Sequence, residues 1–202
     1  SQLEAGLNRA QLEVLRARLN PHFLFNSLQN ISVMIREDPQ VASRMVVQLG
    51  DLLHSVLRGN SRPESTLREE VELTRLYVEL EQVRFGNRLQ VEFHMSNGIQ
   101  GALVPCFLLQ PLLENAIVHG LRGAKKTGII TVAAAAEANN LVLSVKDNGM
   151  GPPSGDGGIK VGVGLGSTCE RLAKIYGDGN TFSMRRPPEG GTEVRITLPH
   201  PY

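Results

Sequence analysis

The stretch Asn20-Pro21-His22-Phe23-Leu24-Phe25-Asn26 sets an imidazole inside a helical pattern, with an amide one turn later. At neutral pH an imidazole can act as base or nucleophile. Asn26, four residues on, shares its helix face; it could orient the ring but cannot take a proton. Upstream, Leu12, Leu15 and Leu19 repeat at helical spacing, and His22 and Asn26 continue that stripe. The apolar stripe moves to Leu24, Leu28, Ile31 and Ile35, with Pro21 at the change. Pro21 removes one helical N–H and crowds the carbonyl of Ala17, which predicts a kink there. A stripe that is core before Pro21 thus carries His22 and Asn26 after it, an arrangement that presents a histidine.

Three further groups lie in the second half: Leu113-Glu114-Asn115-Ala116-Ile117-Val118-His119-Gly120, Asp147-Asn148-Gly149-Met150-Gly151 and Gly162-Val163-Gly164-Leu165-Gly166. Gly190-Gly191-Thr192 follows them. Glycine is concentrated after Gly149, which points to a glycine-rich functional loop. Each group alone is a weak signal, since Asp-Asn-Gly is a common turn and Gly-x-Gly recurs widely.

The elements that must hold these residues can be read in order. Leu3 to Glu37 is predicted as one kinked helix, broken by Asp38-Pro39. Val41, Met45, Leu49, Leu52 and Val56 give a second amphipathic helix ending near Arg58-Gly59-Asn60. A lone helical hairpin cannot bury both apolar stripes, so a homodimeric four-helix bundle is expected. Ser61 to Ser65 reads as a linker. Thr66-x-x-Glu69 is a capping-box pattern opening a third helix, with Leu73, Leu76, Tyr77 and Leu80 on one face. Leu89, Val91 and Phe93 alternate as in a strand. Pro105 to His119 reads as a helix, and Ile129–Ala135 and Leu141–Val145 as strands around a turn at Asn139-Asn140. Leu165 to Tyr176 is a further helix, and Thr181–Met184 and Thr192–Leu198 the last strands. This mixture predicts an α/β layer with helices on one face.

The first stretch closely resembles the phosphoacceptor motif of the LytS-type sensor histidine kinases. The order of the later groups resembles the N, first-glycine and second-glycine boxes of the superfamily of gyrase, heat-shock chaperones, histidine kinases and mismatch-repair ATPases (GHKL, or Bergerat, type). Gly190-Gly191-Thr192 is similar to its late Gly-Thr element, and Tyr77, Glu81 and Arg84 to the family's Tyr-x-x-x-Glu-x-x-Arg helix; these three are read as structural, at the interdomain seam. The resemblance covers nearly the whole chain. It implies a dimerisation and phosphoacceptor hairpin over residues 1–62 and a catalytic ATP-binding domain, an α/β sandwich, over 63–202.

On that reading ATP and Mg²⁺ are the expected cofactors. Asn115 offers an amide oxygen to an Mg²⁺ held mainly by phosphate and water. His119, one turn on, could reach the phosphate tail. Asp147 would accept a hydrogen bond from the adenine amino group, with Gly149 and Gly151 allowing close backbone approach. Gly162, Gly164, Leu165 and Gly166 would form a lid running into a helix N-terminus that favours phosphate. Thr192 could contact the base through water. The γ-phosphoryl group would pass to His22 and then to an aspartate of a response regulator. Two positions depart from the pattern. Phe23 stands where many histidine kinases carry an acid, leaving the base unassigned, and Gly166-Ser167 stands where an asparagine is usual. The alternatives are a nucleotide-binding scaffold without transfer and a hydrolytic ATPase. Against the latter, Pro111 occupies the turn before Asn115 where hydrolytic members carry a glutamate.

The totals agree. The chain has 202 residues and a formal net charge of +1, so no nucleic-acid-binding surface is implied. Cys106 and Cys169 form no CxxC pair and are read as reduced thiols, Cys169 as a buried one. Lys125 and Lys126 read as solvated loop charges. No apolar run approaches the ~18–20 residues of a membrane helix, and no signal-peptide pattern opens the chain. The resemblance implies a cytoplasmic part of a cell-membrane receptor, anchored by segments outside this chain.

Overall fold

The computed structural model describes residues 21–58, 62–121, 127–151, 154–155, 158–159 and 163–199, with the backbone alone at 21–22, 58, 154–155, 158–159 and 163. Leu3 to Asn20, the expected kink, Lys125, Lys126 and Gly162 lie outside the described residues.

Helix α1 spans Pro21–Glu37 and α2 spans Pro39–Arg58. Asp38 makes the break. Its carboxylate accepts from the N–H groups of Gln40 and Val41, both at 3.1 Å, and so caps α2, while Pro39 takes the first helical position, where no N–H is needed. Helix α3, Leu67–Phe85, opens on the expected capping box: Glu69 N–H donates to Thr66 Oγ1 at 3.3 Å, and Thr66 N–H to Glu69 Oε2 at 2.8 Å. Part of the hairpin's apolar surface is buried within the chain. Ile31, Leu49 and Leu52 are buried within this chain, because α2 and α1 pack on α3 and join one apolar cluster with it. Leu28 and Ile35 of the same stripe stay exposed, at 55% and 59%, as do Phe25, Val33, Val46 and Val47.

The linker and the fourth helix differ from their sequence reading. Glu64–Thr66 forms β1, which pairs antiparallel with β3, Leu103–Pro105. Pro105 therefore ends a strand, and helix α4 starts only at Leu109, running to Leu121. Between them Phe107 turns at φ 58°. The turn is held from both sides. The buried Glu70 of α3 accepts from the N–H groups of Phe107, Leu108 and Leu109 at 2.6, 2.8 and 3.3 Å, capping α4 from another helix. Arg171 donates to the carbonyls of Cys106 and Phe107 at 2.6 and 3.2 Å.

The main sheet contains β2 (Leu89–Met95), β4 (Gly128–Glu137), β5 (Asn140–Asp147), β9 (Glu193–Pro199) and β8 (Thr181–Arg185), in that spatial order. β2 and β4 are parallel and the other pairs antiparallel. Alternate residues on one face, among them Ile130, Val132, Leu143, Val145, Val194 and Ile196, are buried under the helices. α4 lies on β4 and β5, α3 on β2, and α5 (Val163–Tyr176) against α4. This is the two-layer α/β arrangement expected. The turn between β4 and β5 falls at Ala138-Asn139, one residue early, with Ala138 at φ 50°. β6 (Ser154–Gly155) and β7 (Gly158–Ile159) form a short hairpin. No helix among the described residues is long and apolar enough to cross a membrane.

Candidate functional site

Asp147 is the last residue of β5, a strand paired on both sides, so its backbone position is fixed by sheet register. The residue is 2% exposed. Its Oδ1 accepts the N–H groups of Gly149 at 2.8 Å and Thr192 at 3.3 Å, and its own N–H donates to Thr192 O at 2.9 Å. Burial pushes the Asp147 carboxyl above the usual range; the Gly149 and Thr192 donors and the nearby His119 pull the other way. Asn148 pins the turn that follows: Ile129 N–H donates to its Oδ1 at 2.8 Å, and its Nδ2 to Thr127 O at 3.2 Å.

The turn then meets the end of α4. A Cβ on Gly149 would lie 2.6 Å from His119 O and 2.7 Å from Gly120 Cα, so only glycine allows this approach. Gly120 matters from the other side, since a Cβ there would be 3.3 Å from Asp147 Cβ. The contact brings Asp147 beside the helix that carries Asn115 and His119, one turn apart and both half-buried. The Asn115 side chain has no hydrogen-bond partner among the described residues. Gly151 turns at φ 88° against Arg186 and the Gly191 carbonyl. Thr192 is 1% exposed, and its hydroxyl lies by the Asp147 carboxyl without a partner at full hydrogen-bond geometry among the described residues. A buried hydroxyl without a partner marks a place where a ligand or water completes the bonding.

Gly164, Leu165 and Gly166 differ from expectation. They lie in the first turn of α5, not in a lid ahead of it, and Leu165 is buried in the core. A Cβ on Gly164 or Gly166 would meet nothing within 4 Å. The helix start at Val163 puts their backbone at an N-terminus, where free N–H groups gather. Gln110 donates to Glu114 at 3.0 Å, and the Glu114 carboxylate lies near enough to Tyr77 and Glu81 of α3 to add to the effect of burial on both. Burial raises both the Glu114 and Glu81 carboxyls. No group of three or more His, Cys, Asp or Glu side chains able to hold a metal occurs among the described residues. Cys106 is the buried thiol, and Cys169 is only half-buried.

His22 is the second residue of α1, and Asn26, one turn on, is half-buried. The structure thus brings His119, Asp147, Gly149, Gly151 and Thr192 together, with Asn115 one turn back from His119 on α4 and His22 on a separate helix. Sequence reading missed Glu70, whose partners lie 37 to 39 residues away and leave no local signal. It also passed over Gly120, which stood inside a quoted motif.

Two family models match successive parts of the chain. A histidine kinase family model matches residues 10–89, and a model of histidine kinase-, DNA gyrase B- and HSP90-like ATPases matches residues 105–202. The sensor protein LytS of Staphylococcus haemolyticus is 35% identical over 98% of this chain, and the sensor histidine kinase BtsS of Escherichia coli K12 is 34% identical over 97%. The chain spans 37% and 34% of those two relatives. In fold it is similar to the histidine kinase domain of the blue-light activated kinase EL346 from Erythrobacter litoralis, with TM-score 0.57, 17% identity and coverage of 98% and 94% of the two chains. The Acinetobacter baumannii histidine kinase AdeS gives TM-score 0.51 at 19% identity, with 95% of each chain covered. With a histidine kinase model on residues 10–89, a histidine kinase-, DNA gyrase B- and HSP90-like ATPase model on 105–202, and sensor kinases aligned along almost its whole length, this chain belongs to the LytS-type sensor histidine kinases.

Proposed function

We propose that the chain is the dimerisation and ATP-binding core of a receptor kinase, with a hairpin unit over residues 1–62 and a catalytic unit over 63–202. It binds Mg-ATP at the Asp147 site, phosphorylates His22 and passes the phosphoryl group to an aspartate of a response regulator. The observation that carries this reading is Asp147 itself: a buried carboxylate whose Oδ1 is fixed by two N–H groups, beside the buried hydroxyl of Thr192. That pair suits a purine, with Asp147 accepting from an exocyclic amino group and Thr192 bonding the ring edge through water. Gly149 and Gly151 line the base, and Gly162, Gly164, Leu165 and Gly166 give backbone N–H groups to phosphate. Asn115 would hold Mg²⁺ and His119 would meet the phosphate tail. The metal supplies charge neutralisation for phosphoryl transfer; the residues supply position. Asn26 orients the His22 imidazole.

Phe25, Leu28, Val33, Ile35, Val46 and Val47 support a homodimer, since six exposed apolar residues on one hairpin favour a second copy. The short span of the chain within its relatives fits a cytoplasmic portion of a membrane receptor. Incubation with γ-labelled ATP and Mg²⁺ tests the activity. The expected product is label that is acid-labile and alkali-stable, as phosphohistidine is. Tight nucleotide binding with no label would favour a scaffold instead.

A further inference from the structure

Phe23 follows His22 directly, and an aromatic ring cannot take a proton. Its ring is instead 2% exposed and stacked on Tyr77 of α3, with centroids 4.4 Å apart and planes inclined at 29°. The first turn of α1 is therefore held to α3 by a defined aromatic contact. α3 is held in turn to the start of α4, because Glu70 takes the N–H groups of Phe107, Leu108 and Leu109. Tyr77 lies two turns beyond Glu70 on α3, and Asn115 lies six residues beyond Leu109 on α4. The Tyr77 hydroxyl sits in the field of Glu114, the residue before Asn115. One stack and one carboxylate clamp thus connect the residue after His22 to the helix that carries Asn115.

We propose that Phe23 and Tyr77 are positioning residues for phosphoryl transfer, their stacked rings setting the register of the His22 end of α1 against the nucleotide-binding helix. The proposal rests on the kinase reading above. Phe23 and His22 are separated by about 100° around α1, so a ring locked against α3 limits rotation of the whole turn. Transfer is sensitive to such register, since a misplacement of about 1 Å can cost on the order of 100-fold in rate. The stack touches none of the atoms expected to bind nucleotide, so its loss should appear in the rate and not in affinity.

The 202-residue chain provides the test. His22 labelling is followed at saturating γ-labelled ATP and Mg²⁺, and nucleotide affinity is measured by calorimetry. Phe23→Leu, which keeps an apolar side chain but no ring, and Tyr77→Ala should each slow labelling about tenfold or more. Nucleotide Kd should stay within about twofold, as no binding group is removed. Tyr77→Phe should retain the parental rate, since the ring remains. The double variant should be little slower than either single one, because both remove the same contact. Amide exchange over residues 24–28 should quicken in the slow variants, showing release of the turn. Unchanged or faster labelling in Phe23→Leu and Tyr77→Ala would overturn the proposal, as would a rate lost only in step with nucleotide affinity. An unlabelled parent chain would remove the kinase reading and this role with it. A labelled parent with unaltered variants would remove this role alone.

Discussion

A Cβ placed on Gly191 would lie 1.8 Å from the carbonyl oxygen of Asp147, where no side chain fits. The Gly-Gly-Thr turn and the end of β5 are thus in backbone contact, and that contact delivers the Thr192 N–H to the Asp147 carboxylate. Gly191 also turns at φ 79°. Gly191→Ala is expected to cost about 3 kcal/mol or more. Gly190→Ala, at φ 95° with open space around it, should cost about 1–2 kcal/mol from backbone conformation alone. Urea denaturation of the two variants measures the difference.

Asp147 should make nucleotide binding and stability respond to pH in opposite senses. Its carboxyl is raised by burial, so the folded chain takes up this proton at higher pH than the unfolded chain. Its contribution to stability is complete below the unfolded value and is lost as pH rises through the raised folded one. An adenine amino group needs the ionised form, so binding weakens as pH falls through the same raised value. Asp147→Asn should weaken adenosine binding about tenfold or more, as a buried charged acceptor is lost, and flatten its pH dependence. Calorimetric titration of adenosine, which carries no phosphate to titrate, checks both effects.

The two glutamates at the start of α3 should differ in weight. Thr66→Ala removes a cap at the surface and should cost about 1 kcal/mol. Glu70→Ala leaves the buried N–H groups of Phe107, Leu108 and Leu109 without their acceptor, and should cost about 3 kcal/mol or more. Glu69→Ala should resemble Thr66→Ala, because it breaks the same capping box. Thermal unfolding ranks the three.

That contrast explains what could be read from the sequence. The Thr66 cap, the Asp38-Pro39 break and the alternation through Leu89, Val91 and Phe93 are local, so residue types a few positions apart declare them. The Asp147, Gly149 and Gly151 spacing is local too, and it identified the purine-site candidate. Glu70 is a helical glutamate like any other until α4 arrives 37 residues later and takes its carboxylate as a cap. The same long-range bond delays α4 to Leu109 and leaves Leu103–Pro105 to pair with Glu64–Thr66, which no periodicity announces. Leu28 and Ile31 belong to one sequence stripe, yet the packing of the helices buries Ile31 and leaves Leu28 exposed. Phe23 looked like a missing acid, and its use as a stacking partner depends on Tyr77, 54 residues away.

The exposed hairpin residues carry the dimer expectation. Light scattering at micromolar concentration should give the mass of two chains. Leu28→Glu together with Val47→Glu should give one, with monomer stability changed by only about 0.5 kcal/mol per site because both side chains are exposed. A parent chain that scatters as a monomer would remove the dimer.

The central claim is that ATP bound at Asp147 serves transfer to His22 and not hydrolysis. Pro111 occupies the helical turn before Asn115 and has no proton-accepting side chain, and Glu114, about 100° around α4 from Asn115, is bonded to Gln110, so neither is placed as a general base. The direct measurement is the ratio of phosphate on protein to phosphate released, in the parent chain and in His22→Ala. The parent should accumulate at most one phosphate per His22 with slow release, and His22→Ala should carry none while binding nucleotide as tightly. Sustained multiple-turnover hydrolysis by His22→Ala would contradict the account.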